Sequence, residues 1–126
     1  MAGERVLVVE DNEKNMKLVR DILEATGYSP LEASSGEQAL ALAVENAPAL
    51  VLMDIQLPDL DGSEALRRLR SDERTAGIPV LALTAQAMQG DRERFLAAGF
   101  DGYLSKPIDV DELIETVRRH CEGGPE

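Results

Sequence analysis

Glu10 and Asp11 follow the apolar run Val6-Leu7-Val8-Val9, Asp54 follows Ala49 to Met53, Thr84 follows Pro79 to Leu83, and Lys106 follows Gly102 to Ser105. An acid after any one such run says little. Acids, a hydroxyl and an ammonium that each close a strand-like segment point to one shared site. Three carboxylates brought close together repel, and each raises the others' pKa unless a cation intervenes. Mg²⁺ meets that need: it takes oxygen ligands at about 2.0–2.1 Å, keeps several waters, and binds one or two carboxylates together with phosphate oxygen. Asp11 and Asp54 suit that role, with Glu10 binding directly or through water and the backbone carbonyl of Gln56 adding a ligand. Beside such a cation Asp54 is equipped to attack phosphorus and form an aspartyl phosphate. Lys106 supplies a point charge for one phosphoryl oxygen and the Thr84 hydroxyl bonds another. Phosphoryl transfer requires mostly positioning and charge neutralisation, which this set provides without a dedicated base.

The elements that must carry these residues alternate. Val6–Val9, Ala49–Met53 and Pro79–Leu83 are continuous apolar runs, the pattern of strands buried on both faces. Ser29–Ala33 is a weaker strand, nearer an edge, and Gly102–Ser105 is a short final one. Between them, Met16, Val19, Ile22 and Leu23 recur at helical spacing up to Gly27, a C-terminal cap. Ser35, with Gln38 three residues on, opens a helix through Ala39, Leu40, Leu42 and Ala43. Ala65, Leu66 and Leu69 mark a third helix and Gly90–Ala98 a fourth, ended by Gly99. Asp109 caps a fifth with Leu113, Ile114 and Val117 inward, closed by Gly123-Gly124-Pro125. Five strands alternating with five helices imply right-handed crossovers and an open, doubly wound parallel (βα)5 sheet of the α/β class. Ligands of such sheets bind beyond the carboxyl ends of the strands, where strand order reverses, and those ends are where the polar set falls.

Charge narrows the partners. Lys and Arg number 13 against 24 Asp and Glu, a net charge of −11, which disfavours nucleic acid and anionic membrane surfaces. No stretch approaches the ~20 apolar residues of a membrane span, and the N-terminus lacks a signal-peptide core. A lone Cys121 allows no internal disulfide and fits a reducing, cytoplasmic setting. The 126 residues are expected to form a single domain with a core at about 5–121 and no output domain.

Glu10-Asp11, Asp54, Pro58, Asp61-Gly62, Thr84-Ala85, Gly102-Tyr103 and Lys106-Pro107 together resemble the signature of bacterial response-regulator receiver domains (the CheY-like superfamily) over nearly the whole chain. The segment Leu83 to Asp91 is similar to the corresponding loop of stand-alone DivK-type regulators and of hybrid-kinase receivers. The resemblance implies the flavodoxin-like strand order 2-1-3-4-5. It makes Glu10 and Asp11 the acidic Mg²⁺ pair, Asp54 the phosphoacceptor, Thr84 the switch hydroxyl and Lys106 the phosphate-contacting lysine. It also makes Tyr103 the switch aromatic and Pro107 a cis-proline. The first acid is Glu where the family more commonly has Asp. The partners implied are a sensor histidine kinase or histidine phosphotransfer protein as donor, and a downstream protein reading the face near Tyr103. That face can also pair with a second copy of the chain.

Gln56 and Gln86, each two residues beyond Asp54 and Thr84, would flank the phosphoryl group and tune its lifetime. Arg67, Arg68, Arg70, Arg92 and Arg94 read as solvated helix faces, His120 as a cation at a helix end, Met16 as core and Met88 as part of a partner surface. Alternatives stay open. A haloacid-dehalogenase-like phosphatase would want a second Asp where Gln56 stands. A flavin binder would want a hydroxyl-rich loop where Glu10-Asp11-Asn12-Glu13 stands. A phosphorylation-independent scaffold would not need the set intact.

Overall fold

Residues 3–84 and 91–123 are described in a computed structural model. In chain order the elements are β1 (Arg5–Val9), α1 (Glu13–Ala25), β2 (Ser29–Ala33), α2 (Gly36–Asn46) and β3 (Leu50–Asp54). They continue with α3 (Gly62–Ser71), β4 (Val80–Thr84), α4 (Asp91–Ala98), β5 (Gly102–Ser105) and α5 (Val110–Arg118). A π-helical turn, Arg119–Gly123, prolongs α5 into residues expected to end it. The sheet order is β2-β1-β3-β4-β5, every pair parallel. β2, with the less apolar sequence SPLEA, lies at an edge as its composition implies.

Alternation along the strands divides the interior in two, because successive side chains point to opposite faces. Val6, Val8, Leu50, Leu52, Leu81 and Leu83 pack against Met16, Val19 and Leu23 of α1 and Leu113 and Val117 of α5. Leu7, Val9, Val51, Met53, Val80 and Ala82 face Ala39, Ala65, Leu66 and Phe95, on α2, α3 and α4. Both faces are covered, which is why β1, β3 and β4 are apolar between Arg5 at the start of β1 and the polar residues that close β3 and β4. Phe95 meets Phe100 edge-on at 6.1 Å between centroids.

Helix starts follow local chemistry. Asn12 accepts from the N–H groups of Lys14 and Asn15, Asp61 from Glu64 and Asp109 from Glu112. Ser35 accepts from the Gln38 N–H as expected. The reciprocal half of that capping box is displaced by one residue, since Gln38 Oε1 accepts from the N–H of Ser34. Gly27, at φ 95°, takes the left-handed position after α1. α2 ends differently, with Ala47 in that region at φ 46°.

One arginine departs from its expected place. Arg67 and Arg68 lie on an exposed face and pair with Glu64. Arg70, expected there too, turns inward instead. Its guanidinium donates to the carbonyls of Ala76 (3.1 Å), Ile78 (2.7 Å) and Gly99 (3.2 Å) and to Asp101 Oδ2 (2.9 Å). Asp101 Oδ2 also accepts the Val80 N–H at 2.7 Å, so the cluster ties the start of β4 to the turns that precede β4 and β5. Gln86, Met88 and the Arg92 side chain lie outside the described residues. Met16 is buried as expected, and His120 Nδ1 lies 2.9 Å from the Thr116 carbonyl oxygen.

Candidate functional site

The strand order reverses between β1 and β3, since β2 follows β1 on one side and β3 on the other. A crevice of about 380 Å³ opens beyond the carboxyl ends there, lined by Glu10, Asp11, Asp54, Gln56, Thr84 and Lys106. The residues picked out by spacing therefore converge. Tyr103 stands apart from them, and Gln86 lies outside the described residues.

Each side chain is aimed by its strand. Glu10 extends β1 and its N–H donates to Ala33 O at 2.9 Å, which fixes the last step of the strand. Its Oε2 accepts the Asn12 N–H at 3.2 Å and its Oε1 lies 2.8 Å from Lys106 Nζ. Asp54 ends β3, with Oδ1 accepting the Gln56 N–H at 3.0 Å and Oδ2 accepting from Lys106 Nζ at 3.1 Å. Lys106 follows β5, and its N–H donates to the Thr84 carbonyl at 2.8 Å, docking it beside β4. The Lys106–Pro107 peptide is cis, as expected. Asp11 is exposed at the mouth, whereas Glu10 and Asp54 are only 2% and 5% exposed.

Burial sets the electrostatics. Desolvation pushes the Glu10 carboxyl above its ordinary value, and the neighbouring Asp54 adds to that while Lys106 opposes it. Burial works to depress the Lys106 ammonium, but its hydrogen bonds and charge attraction to Glu10 and Asp54 outweigh burial and hold it above the usual lysine range. One ammonium thus serves two buried carboxylates. Ligand oxygens of Glu10, Asp11 and Asp54 lie within 4.8 Å of one another, an all-oxygen set of the hardness that suits Mg²⁺ or Ca²⁺ and not a thiolate-seeking metal.

Tyr103 is half-buried. Its ring lies 5.9 Å from that of Phe95 at a 45° tilt. It pairs in register with Ala82, and Ser105 pairs with Thr84, so Tyr103 and Thr84 share one face of the sheet two positions apart. Thr84 is 5% exposed.

Two residues escaped the reading of the sequence. Asn12 both caps α1 and holds Glu10 through its own N–H, and an Asn directly before a helical pattern is a recognisable N-cap. Asp59 accepts from the backbone of Gly36 and Glu37, partners more than twenty residues away that no local pattern announces.

The chain matches the response regulator receiver domain over residues 6–118. It is 51% identical to the polar-differentiation response regulator DivK of Brucella ovis over 115 residues, covering 91% of this chain and 94% of that one. Its fold superposes with a TM-score of 0.87 on the receiver domain of a Pseudomonas aeruginosa sensor histidine kinase, at 40% identity over 95% of this chain and 98% of that one; that structure has a magnesium ion coordinated in its active-site cleft. A Vibrio cholerae chemotaxis response regulator gives a TM-score of 0.87 at 27% identity, over 94% and 98% of the two chains. Among the described residues no helix is long and apolar enough to cross a membrane. With an acid-lined crevice at the sheet's switch point and a family match spanning nearly its whole length, the chain belongs to the response-regulator receiver domains and works, like DivK, in two-component signalling.

Proposed function

We propose that Asp54 accepts a phosphoryl group from the phosphohistidine of a sensor kinase or phosphotransfer protein, in a site that also holds Mg²⁺. The observation that carries this reading is the meeting of the Glu10, Asp11 and Asp54 carboxylates within 4.8 Å, with the Lys106 ammonium on two of them. Asp11, Asp54 and the Gln56 carbonyl would hold the cation, and Glu10 would reach it directly or through water. Mg²⁺ supplies charge neutralisation at the phosphoryl and carboxylate oxygens, so that nucleophile and phosphorus can approach.

In the reaction a carboxylate oxygen of Asp54 forms a bond to phosphorus in line with the breaking N–P bond of the donor. The imidazole leaves with the electron pair of that bond and takes up a proton. Lys106 turns part of its charge from Asp54 to a phosphoryl oxygen, and the Thr84 hydroxyl donates to another. The phosphoryl group adds about −1.5 to −2 charge on strong acceptors. Drawing Thr84 inward frees room on the face it shares with Tyr103, whose ring then moves into that room and reshapes the surface that a target, or a second copy, reads. Gln56 at the crevice wall, and Gln86, govern the access of hydrolytic water and so the signal's lifetime. The protein acts as a regulated phosphoacceptor on the cytoplasmic side, not as a turnover enzyme.

The test is intact-mass analysis after incubation with Mg²⁺ and a small phosphodonor. Wild type gains one phosphoryl group; Asp54→Asn and wild type with chelator gain none. A phosphoryl group on Asp54→Asn would overturn the assignment. Thr84→Ala should still accept phosphate but lose phosphorylation-dependent partner binding.

A further inference from the structure

A backbone carbonyl has no rotamer of its own, so the aim of the Gln56 carbonyl depends on the conformation of its loop. That loop, 55–61, is held at its stem: the Ile55 N–H donates to Leu83 O at 3.1 Å and the Gly62 N–H to Ile55 O at 2.8 Å. A Cβ at Gly62 would stand 2.8 Å from Asp54 O, so only glycine lets the stem close. The stem leaves the tip unspecified.

The tip is fastened to a different element. Asp59 Oδ1 accepts the Gly36 N–H at 2.8 Å, and Oδ2 accepts the Glu37 N–H at 3.0 Å. The carboxylate thus spans the first two N–H groups of α2, which no intrahelical carbonyl can reach. Those donors hold the Asp59 carboxyl below its ordinary value, Glu37 first and Gly36 next. Leu60 completes the contact: a Cβ at Gly36 would lie 2.9 Å from Leu60 Cδ1 and 3.0 Å from its Cβ, so the bare helix start is a seat for the loop. Only Leu57 and Pro58 separate Gln56 from Asp59, and Pro58 fixes its own φ, which leaves little slack between tether and carbonyl.

Resting on the phosphoacceptor reading above, we propose that Asp59 is a positioning residue, which sets the Gln56 carbonyl for the cation by pinning the β3–α3 loop to the start of α2. Ser35 caps the same helix through the Gln38 N–H, and its side chain has no hydrogen bond to that loop. It is therefore the control for a loss of α2 alone.

The experiment measures Mg²⁺ affinity of the unphosphorylated protein by calorimetry, and amide exchange at residues 36–37 and 55–60, in wild type, Asp59→Ala, Asp59→Asn, Ser35→Ala and Asp54→Asn. Loss of the tether should weaken Mg²⁺ binding ~10-fold or more in Asp59→Ala, the scale on which outer partners of metal ligands act, and speed exchange across both segments. Asp59→Asn, which keeps an acceptor but not the charge, should recover at least half of that loss on a logarithmic scale. Ser35→Ala should bind Mg²⁺ as wild type does. Unchanged affinity in Asp59→Ala, an equal loss in Ser35→Ala, or no recovery by Asn overturns the tether while leaving the phosphoacceptor site standing. Wild type that binds no Mg²⁺, or binds it as well with Asp54→Asn, overturns both.

Discussion

Lys106 is the residue on which the resting site depends. It lies 2.8 Å from Glu10 Oε1 and 3.1 Å from Asp54 Oδ2, and both acids are buried. Breaking a buried pair by removing one partner leaves an uncompensated charge, at up to ~3–5 kcal/mol when fully desolvated. Lys106 keeps 18% of its side chain exposed, so Lys106→Met should cost about 1–3 kcal/mol at neutral pH. The deficit should depend on pH in a definite direction. Burial and Asp54 already push Glu10 upward, and without the ammonium they act unopposed. An acid whose folded pKa is raised holds more protons folded than unfolded. Its penalty is therefore absent below its ordinary pKa and grows as the pH rises through the folded value. Urea unfolding of Lys106→Met at about pH 5 and pH 8 should show the smaller deficit at the lower pH. Equal deficits would mean that Lys106 acts through packing alone. Lys106 also illustrates the limit of spacing arguments. Its place at a strand end was legible, but its resting partners were not, because a phosphate-binding lysine and a lysine paired to two acids have the same sequence.

At the scale of elements, the fold was legible wherever burial forces a period. β1, β3 and β4 are apolar on both faces because helices cover both, and Ser35 and Asp109 announce α2 and α5 because a cap acts on its own next turn. What stayed hidden were contacts made to backbone. Arg70 sits in a run of arginines on α3 and looks solvated, yet it binds three carbonyls in the turns that precede β4 and β5, and backbone groups carry no sequence signal. Asp59 was hidden for the same reason. Arg70→Lys tests that geometry. A single ammonium cannot serve acceptors spread over residues 76, 78, 99 and 101 as a planar five-donor fork does. Both Arg70→Lys and Arg70→Ala should therefore lose about 1–2 kcal/mol, as the part-buried carbonyls of Ala76 and Ile78 lose their donor, and Arg68→Lys should lose less than about 0.5 kcal/mol. Full retention of stability by Arg70→Lys would reduce Arg70 to a charge. The end of α2 offers the opposite change. Ala47 holds φ 46°, a region that costs a residue with a Cβ about 1–2 kcal/mol. Ala47→Gly removes that strain but adds freedom to the unfolded chain. The net gain should be about 0.5 kcal/mol, read as a small rise in the urea midpoint with no change in slope.

At the scale of the molecule, the site is a junction between strands distant in sequence. Glu10 follows β1, Asp54 ends β3 and Lys106 follows β5, so any ligand that engages the acids acts on the sheet as a whole. A cation that binds the folded chain and not the unfolded one stabilises it by RT ln(1 + [L]/Kd), about 2.7 kcal/mol at a hundredfold excess over Kd. In a chain of 126 residues that is a rise in Tm of roughly 8–15 °C. Both faces of the sheet are packed against helices, so the domain should unfold as one unit and the slope against urea should stay constant while the midpoint moves. The shift should vanish in Asp54→Asn and shrink in Asp11→Asn. With a net charge of −11, any cation relieves some general repulsion, and sodium must be matched in ionic strength to separate that effect from a site. A magnesium shift that matched sodium would assign the stabilisation to overall charge. A shift that saturates, exceeds sodium and requires Asp54 assigns it to the crevice, without any phosphodonor in the tube. A folded-state metal site and a phosphorylation assay can thus fail separately, and the order in which they fail says whether the acids or the nucleophile was misread.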